Sequence, residues 1–378
     1  MASTKTKPKA GTRAPRLSDD LTNETLREWL YTMQLIREFE LRTAQAYQQA
    51  KIGGFCHIYI GQEASAVGTI GCVHHDDPVI LAYRDHGHAL ARGMDPKACM
   101  AEMFGKAAGC AKGKGGSMHM FDRPNWLFGG HGIVGAQTGL GTGLAFAARY
   151  EYEVLGEALD GGKAKKKVCL CYLGDGALNQ GVLHESQNLA GVLGIPVMFI
   201  VENNGYSMGT AIERGTTMAD DLSRKAAAYG MEYAEIEGMD ILNIYDKFKP
   251  LADECRDEQK PAFINLKTYR YQGHSMSDPQ KYRTKAEVES WKDRDSIASL
   301  ASRLMTETSE GGRGCLSEDE WKQMQKEIRS IVRAAVKFAD DAAEPSVEEE
   351  LYSDVYANPV PNLSPSRDYV HGAKNPLL

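Results

Sequence analysis

Two short apolar runs in the middle of the chain have the pattern of buried parallel strands. Residues 168–173 and 196–201 are continuous hydrophobic stretches, separated by about twenty residues of helix-like character. A strand, a helix and a second parallel strand form one βαβ unit, in which the carboxyl ends of both strands meet at the same edge of the sheet. The pattern therefore predicts an α/β fold with a mostly parallel sheet flanked by helices.

Other elements are predicted on both sides of this unit. Apolar residues recur at helical spacing from Ser18 onward, which predicts a long opening helix. Its apolar face comprises Leu30, Met33, Ile36 and Phe39. The remaining predictions are strands at 79–84 and 262–269, a helix at 96–105, a polar loop at 270–283, and helices that begin with capping boxes at Thr284 with Glu287 and at Ser317 with Glu320.

A glycine-rich segment interrupts the regular pattern. Ten of the 31 residues from Gly113 to Gly143 are glycine, against a usual share of about 7%. Apolar residues such as Met118, Phe128 and Ile133 are interleaved among the glycines, whereas a flexible linker would contain serine and charged residues. We therefore expect this backbone to turn repeatedly and to pack tightly.

Polar residues that follow the two central strands are the first candidates for chemistry. Asp175 follows the first strand, and Asn203 and Asn204 follow the second. Carboxylate and amide oxygens suit Mg²⁺, which completes its coordination with water and phosphate oxygens. Gly174 and Gly176 would let backbone N–H groups approach an anion closely. Because Gly-Asp-Gly is also common in ordinary turns, a purely structural turn is the alternative interpretation of these residues.

Composition excludes several classes of protein. With 378 residues and 42% hydrophobic content, the chain can build a substantial core. The net charge of −7 and the lack of a long basic stripe argue against nucleic acid as the main ligand. No run reaches the roughly twenty apolar residues that span a bilayer. The eight cysteines are scattered without zinc-ligand spacing, so we expect free thiols in a reducing compartment.

The first residues differ in composition from the rest. Residues 1–16 contain five basic residues and no acidic one, and prolines interrupt them. We expect a disordered basic tail at 1–17, followed by a single domain at 18–378 with a helical C-terminal part. A short organelle-targeting segment is the alternative interpretation. The expected compartment is therefore the bacterial cytoplasm, with the mitochondrial matrix as the alternative.

Two histidines and one arginine lie where they could act on a ligand. His57 and His274 occur in polar, glycine-containing segments, where a side chain that titrates near neutrality can move protons or hold an anion. Tyr83 and Arg84 close a predicted strand, where the planar guanidinium could bind two phosphate oxygens; a surface salt bridge is the alternative. The histidines expected to be structural or exposed are His74, His75, His86, His88 and His184.

Seven ordered segments together resemble the alpha subunit of the dehydrogenase component of 2-oxo acid dehydrogenase complexes, a family of thiamine diphosphate enzymes. They are GGFCHIYIGQEA (53–64), AYRDHGHALARG (82–93), GCAKGKGGSMHMF (109–121), GGHGIVGAQ (129–137), GDGALNQG (174–181), ENNGYSMGT (202–210) and TYRYQGHSMSDPQKYRT (268–284). KGKGGSMHM and GHSMSDP resemble the pyruvate-specific type. Gly205, where many pyruvate-specific relatives have arginine, keeps the acetoin-cleaving and branched-chain relatives as alternatives.

The resemblance implies a thiamine diphosphate-binding fold and a set of site residues. It assigns the diphosphate to Tyr83 and Arg84, the aminopyrimidine to Gly132 and Val134, and the magnesium and diphosphate site to Asp175, Gly176, Ala177, Asn204 and the backbone carbonyl of Tyr206. His57 and His274 would face the substrate and the bound intermediate, with His274 also at the cofactor. Ser275 matches a serine that kinases modify in mitochondrial enzymes, but Lys281 and Ala211 stand near the other regulatory positions, so we expect an unregulated bacterial enzyme.

The implied activity is decarboxylation of pyruvate, followed by reductive acetylation of a lipoyl group on a dihydrolipoyl acyltransferase core, which yields acetyl-CoA in the whole complex. In this family a glutamate required by the cofactor resides on a separate beta subunit. We therefore expect an α2β2 tetramer and no activity from this chain alone. Two hypotheses of other classes are a catalytically silent scaffold, which the intact site residues argue against, and an NAD-dependent dehydrogenase, for which a GxGxxG turn between strand and helix is missing.

Overall fold

A six-stranded, entirely parallel sheet forms the centre of the computed structural model, which describes residues 16–159, 161–351 and 353–354. Within these residues the strands are β1 Val79–Ala82, β2 Leu127–His131, β3 Cys169–Gly174, β4 Val197–Asn203, β5 Tyr206–Ser207, β6 Thr210–Ala211, β7 Glu232–Glu237 and β8 Ala262–Lys267. The order across the sheet is β2-β1-β3-β4-β8-β7, and β5 and β6 form a separate antiparallel pair. The predicted α/β fold with a parallel sheet is confirmed.

Helices cover the sheet and extend beyond it. In the described residues they are α1 Asn23–Gln48, α2 Glu63–Ile70, α3 His86–Ala91, α4 Pro96–Met103, α5 Gln137–Tyr150, α6 Gly181–Leu193, α7 Ile212–Gly215, α8 Ser223–Ala227, α9 Ile241–Glu258, α10 Lys285–Lys292, α11 Ser296–Met305, α12 Glu318–Asp341 and α13 Val347–Glu350. Short 3₁₀ turns occur at Leu17–Asp20, Gly116–Met118, Arg123–Asn125, Asp175–Ala177 and Thr308–Glu310, and a π turn at Glu151–Leu155 follows α5. None of the described helices is both long enough and apolar enough to cross a membrane.

Successive residues of the central strands belong to different cores. In β3, Leu170 and Tyr172 pack in a large core shared with α1, α2, α9 and α12, whereas Cys169 and Cys171 pack in a smaller core shared with α5, α6 and α8. Both faces of the sheet are therefore buried, which explains why these strands are continuous apolar runs instead of alternating ones. All eight cysteines are free thiols, as expected.

The boundaries of several elements differ from the sequence prediction. Strands β1 and β8 end two residues before the predicted limits of 84 and 269. The opening helix begins at Asn23 and not near Ser18, because the Thr22 hydroxyl caps it by accepting a hydrogen bond from the N–H of Thr25. Of the predicted basic tail, residues 1–15 lie outside the described part of the chain.

One of the two predicted capping boxes is complete. At Ser317 the hydroxyl accepts from the N–H of Glu320 at 3.2 Å, and the Glu320 carboxylate accepts from the N–H of Ser317 at 2.7 Å. At Thr284 the hydroxyl accepts from the N–H of Glu287, but the Glu287 carboxylate accepts from the hydroxyl of Tyr269 at 2.8 Å and does not return to the cap. The prediction of a complete second capping box is therefore wrong, because the Tyr269 hydroxyl donates to the carboxylate that would have completed it.

A buried carboxylate organises the glycine-rich segment. Glu102, near the end of α4, is fully buried. It accepts hydrogen bonds, all between 2.7 and 3.0 Å, from the backbone N–H groups of Ala111, Gly113, Gly115 and Gly116. Gly113 has a φ of +75°, and a Cβ there would lie 2.3 Å from the backbone of Gly105. The expectation of repeated turns and tight packing is confirmed for this part of the segment.

The strand order reverses between β1 and β3, at the centre of the sheet. The chain leaves β1 towards β2 on one side, whereas it leaves β3 towards β4 on the other side. Connections that diverge in this way leave a crevice beyond the carboxyl ends of the two strands, where open α/β sheets bind ligands. Tyr83 follows β1 and Asp175 follows β3, so both residues lie at this crevice.

The carboxylate of Glu102 provides a test of how the glycine-rich segment is held. In Glu102→Gln the amide NH₂ would face backbone N–H donors, so we expect the free energy of unfolding to fall by about 2–4 kcal/mol. Urea unfolding of the wild type and the variant measures the difference. Glu344→Gln is the matched control, because that carboxylate pairs with Lys106 on the same segment but is exposed, and it should have no measurable effect. Equal losses in both variants would contradict this account.

Candidate functional site

A cavity of about 680 Å³ opens at the carboxyl edge of the sheet, next to the reversal of strand order. Its volume is in the range typical of small-molecule and cofactor sites. Every site residue that the family resemblance implies lines it: His57, Tyr83, Arg84, Gly132, Val134, Asp175, Gly176, Ala177, Asn204, Tyr206, His274 and Ser275. Asn203, the other candidate at the end of the second strand, does not line it, and its side chain donates a hydrogen bond to Asn265 at 3.1 Å. The fold thus brings together residues that are more than 200 positions apart in the chain.

The three predicted metal ligands supply oxygens of the kind that Mg²⁺ prefers. Asp175 is buried, and its Oδ2 has no hydrogen-bond partner among the described residues. The side-chain oxygen of Asn204 and the backbone carbonyl of Tyr206 accept hydrogen bonds from the same Nη1 of Arg270, at 2.8 and 2.9 Å. Two of the oxygens therefore already converge on one cationic atom. A carboxylate, an amide oxygen and a carbonyl fit a magnesium ion.

The electrostatics of Asp175 depend on the same arginine. Burial raises the pKa of Asp175 to about 6, and the charge of Arg270 opposes this rise. Desolvation destabilises a buried carboxylate unless a cation or hydrogen-bond donors compensate it. A divalent cation in contact with the unpartnered Oδ2 would provide that compensation.

The two glycines beside Asp175 have different reasons for lacking a side chain. A Cβ on Gly176 would lie 2.4 Å from the hydroxyl of Ser207, so packing within the protein excludes one. Gly174 has an ordinary φ of −79°, and no protein atom lies within 4 Å of the position of its Cβ, although the residue lines the cavity. The space beside Gly174 therefore belongs to the cavity, which suits close approach of an anionic group to the backbone.

Arg270 is the main site residue that the sequence analysis missed. It is among the largest fully buried side chains and forms no ion pair within the described residues. Its guanidinium donates hydrogen bonds, between 2.6 and 2.9 Å, to the Asn204 side chain, the backbone carbonyls of Tyr206 and Met208, and the Tyr282 hydroxyl. The available signal was an arginine directly after a predicted strand, but the loop 270–283 was interpreted only as polar.

Arg84 holds two walls of the cavity together. Its Nη1 donates to the carbonyl of Ile58 at 2.7 Å, and its Nη2 donates to the carbonyl of His274 at 2.8 Å. The side chain is buried and forms no salt bridge in the described structure, so the alternative of a surface salt bridge is wrong. Burial lowers the pKa of Arg84. A guanidinium has five N–H groups. The N–H groups of Arg84 that do not donate to these two carbonyls remain available, so contact between Arg84 and a diphosphate stays a prediction.

Three aromatic rings form a cluster in the wall of the cavity. The ring centroids of His57 and Tyr83 are 4.5 Å apart, those of His57 and His274 are 5.1 Å apart, and those of Tyr83 and His274 are 5.6 Å apart. Burial, and next the charge of Arg84, lower the pKa of His57 to about 2 and that of His274 to about 4. Both imidazoles are therefore neutral near pH 7, and each has one N–H donor and one nitrogen acceptor.

The loop that contains His274 and Ser275 is held by internal hydrogen bonds. The Asp278 carboxylate accepts from the backbone N–H groups of His274 and Gln280 and from the Tyr282 hydroxyl, at 2.6 to 2.8 Å. The Arg283 guanidinium donates to the backbone carbonyls of Arg270, Tyr271 and Gln272. The side-chain hydroxyl of Ser275 lies 3.0 Å from the hydroxyl of Ser277, which is the one hydrogen-bond partner found for it among the described residues. The loop therefore forms a defined wall of the cavity.

The remaining histidines lie elsewhere or deeper in the protein. His86 and His88 are fully buried, and neither they nor His74, His75 and His184 line the cavity. His88 lies 3.4 Å from the carboxylate of Glu202, which also accepts a hydrogen bond from the Tyr59 hydroxyl. Glu202 lines the cavity and was missed, although it directly precedes the two asparagines that were identified.

Sequence comparisons relate the chain to one family of enzymes. The family model described as "Dehydrogenase E1 component" matches residues 31–348. The "Pyruvate dehydrogenase E1 component subunit alpha" of Rickettsia bellii is 44% identical over 79% of this chain and 86% of its own length. The protein of that name from Rhizobium meliloti is 45% identical over 79% of this chain and 81% of its own length. The "Pyruvate dehydrogenase E1 component subunit alpha, testis-specific form, mitochondrial" of Rattus norvegicus is 40% identical over 84% of this chain and 76% of its own length.

The lowered pKa of His274 predicts a contribution to acid denaturation. The unfolded chain binds a proton on this residue as the pH falls below about 6.5, but the folded chain does so only near pH 4. Stability should therefore fall between these pH values, since the unfolded state binds more protons. In His274→Gln the free energy of unfolding should depend less steeply on pH, by an amount that corresponds to nearly one proton fewer bound on unfolding. Urea unfolding at several pH values between 7 and 4 measures this slope. Ser277→Ala, a loop variant without a titrating group, should keep the full slope, and an unchanged slope in His274→Gln would refute the assignment.

Proposed function

The chain belongs to the dehydrogenase E1 component family, and from that membership we propose that it acts as the alpha subunit of a pyruvate dehydrogenase. It is an oxidoreductase that acts on the oxo group of a 2-oxo acid, with a lipoyl disulfide as the acceptor. Enzymes of this family depend on thiamine diphosphate. The observation that supports this role best is the gathering of all the site residues in one cavity at the reversal of strand order.

The carboxyl edge of β3 and β4 would hold Mg²⁺ and the cofactor diphosphate. Asp175, Asn204 and the carbonyl of Tyr206 provide the metal ligands in this proposal, and Gly176 and Ala177 belong to the same turn. The partnerless Oδ2 of Asp175 and the convergence of the other two oxygens on Arg270 support it. A metal ion at these oxygens competes with the guanidinium for the same lone pairs, so metal binding and the position of Arg270 are linked.

Tyr83, Arg84, Gly132 and Val134 would contact the rest of the cofactor. When bound, thiamine diphosphate supplies the carbanion centre and the electron sink of the reaction. Arg84 contributes a permanent positive charge that no carboxylate neutralises within ion-pair distance in the described residues, which suits a nearby diphosphate. Gly132 and Val134, which is 40% exposed, line the same cavity and are the residues proposed for the aminopyrimidine ring.

The neutral histidines are suited to a substrate that loses its negative charge. A protonated histidine would stabilise the carboxylate of pyruvate before reaction and would therefore oppose decarboxylation. A neutral imidazole can donate one hydrogen bond and accept one proton without that penalty. His57 and His274 are held neutral by burial and by Arg84, so we assign them to orienting the substrate and to proton transfer at its oxygen atoms.

A large apolar surface next to the cavity suits a beta subunit. Ile133 is 75% exposed and lies beside the cavity residue Val134. Helices α5 and α6 pack against each other, and they expose the large apolar side chains Leu140, Phe146, Tyr150, Leu189, Val192 and Leu193. An apolar patch of this kind marks an interface. We propose that it pairs with the beta subunit in an α2β2 tetramer, which in turn acetylates a lipoyl-bearing acyltransferase core.

Position 205 does not by itself favour a different substrate. Gly205 has a φ of +81°, a conformation that glycine adopts without strain, so the backbone accounts for the residue. The relatives that match most of this chain are named for pyruvate. Acetoin and branched-chain oxo acids are therefore the comparison substrates for the assay. The compartment that we propose is the bacterial cytoplasm, with the mitochondrial matrix as the alternative, and Ser275 is the only regulatory position proposed.

The activity is tested with 2-oxo acid-dependent reduction of an artificial electron acceptor, in the presence of thiamine diphosphate and Mg²⁺. We expect reduction with pyruvate when the chain is co-expressed with its beta subunit and none from the chain alone, because the cavity needs the second chain. Acetoin and branched-chain oxo acids serve as competing substrates. Activity of the isolated chain would contradict the subunit proposal, and preference for another substrate would assign the enzyme to a sister group.

The metal site is tested by binding as well as by turnover. In Asp175→Asn, loss of the only carboxylate among the proposed ligands should weaken Mg²⁺-dependent binding of thiamine diphosphate by roughly 100-fold. Isothermal titration calorimetry of the co-expressed complex measures the affinity. Asp220→Asn, at an exposed carboxylate outside the cavity, is the control and should bind like the wild type. Wild-type affinity in Asp175→Asn would rule out Asp175 as a ligand.

A further inference from the structure

A second cavity, of about 500 Å³, lies at the opposite, amino edge of the sheet. Pro78, Trp126 and Lys167 line it just before or at the first residues of β1, β2 and β3, and the second half of α5 forms a wall from Leu144 to Glu151. None of its lining residues lines the first cavity. The site already described therefore does not account for it.

Lys167 is a buried cation without an anionic partner. The residue is 5% exposed and has no hydrogen bond or salt bridge to any described residue. Its ammonium nitrogen lies 3.8 Å from the centroid of the Trp126 ring, which gives a cation–π contact. The nearby carboxylate of Asp77 is already used, because it pairs with Arg256 at 2.6 Å and accepts from the N–H of Val168 at 2.9 Å.

The ammonium group of Lys167 lies on the wall of this cavity, where apolar neighbours solvate it less well than bulk water and no anion compensates its charge. The ring of Trp126 offsets part of that penalty, since its face is the negative end of the ring quadrupole. The backbone of Trp126 has a φ of +54°, which is uncommon for a bulky residue and places the ring beside Lys167. An anion that enters the cavity would complete the compensation.

The charges and walls of the cavity limit the chemistry of this anion. Among the described lining residues, Arg123 adds a second cation and Glu151 is the one carboxylate, so the net charge of these residues favours a monoanion. Trp126, Phe128 and Leu144 provide a predominantly apolar lining. We propose that this cavity binds an organic monoanion, in which one carboxylate, placed at Lys167, is attached to a flat, apolar body.

The test uses 2-naphthoate as the probe and the full chain as the protein. We expect saturable binding of one naphthoate per chain by isothermal titration calorimetry, with no displacement by thiamine diphosphate. Lys167→Met keeps the aliphatic stem but removes the charge, and it should weaken binding at least about tenfold. The neutral analogue 2-naphthamide should bind the wild type more weakly and should not respond to the substitution. Lys165→Met, at a neighbouring exposed lysine, is the matched control and should bind like the wild type.

A second variant protects the test against misfolding of Lys167→Met. Leu159 lines the mouth of the cavity and is 75% exposed, so Leu159→Glu adds a negative charge there without disturbing the core. It should also weaken binding of naphthoate, and Leu159→Gln should do so much less. The proposal is overturned if naphthoate does not saturate a site up to millimolar concentration, or if the affinity is unchanged in both Lys167→Met and Leu159→Glu. Displacement by thiamine diphosphate would place the probe in the first cavity and would overturn it as well.

Discussion

The structure around the cavity depends on the burial of one guanidinium group, that of Arg270. No carboxylate pairs with it in the described part of the chain, so its charge must be stabilised by neutral oxygens. These oxygens come from Asn204 at the end of β4, from the following β5–β6 hairpin, and from Tyr282 in the loop that contains His274. The stretch 204–208 and the loop 270–283 must therefore take their positions together around one cation. In the proposed metal site, the same convergence of oxygens would place a metal ion close to this arginine.

Arg84 acts on the other side of the cavity by the same principle. Its hydrogen bonds to the carbonyls of Ile58 and His274 connect the segment of the first predicted histidine to the loop of the second. Neither arginine is neutralised by a salt bridge in the described structure, so each guanidinium can attract an anionic group even though Asp175, Glu202 and Asp278 also line the cavity. The structural role of the two arginines and their proposed role in binding the diphosphate therefore have one physical origin.

The sequence predicted the elements better than the long-range contacts. Buried parallel strands appear as continuous apolar runs, and the carboxyl-edge rule then placed Asp175 and Asn204 near each other, as the cavity confirms for their positions. His57, Tyr83 and His274 were brought into one group by family resemblance and not by spacing. Arg270, Glu102 and Glu202 were missed because their importance comes from partners that only the fold supplies. Glu287 shows the same limit, since a local capping motif lost its carboxylate to Tyr269.

The separation of charge within the cavity follows mainly from burial, and the charge of Arg84 adds to it. Desolvation removes the proton from an imidazole but not from a guanidinium, because the two groups start from very different pKa values. His57 and His274 are therefore neutral near pH 7, whereas a guanidinium group keeps its charge. In the proposed function, the arginine charges attract the diphosphate, and the neutral imidazoles face a substrate whose carboxylate group leaves as carbon dioxide while its two-carbon unit remains. A uniformly charged cavity would bind the cofactor but would also stabilise the unreacted substrate, which would slow the reaction.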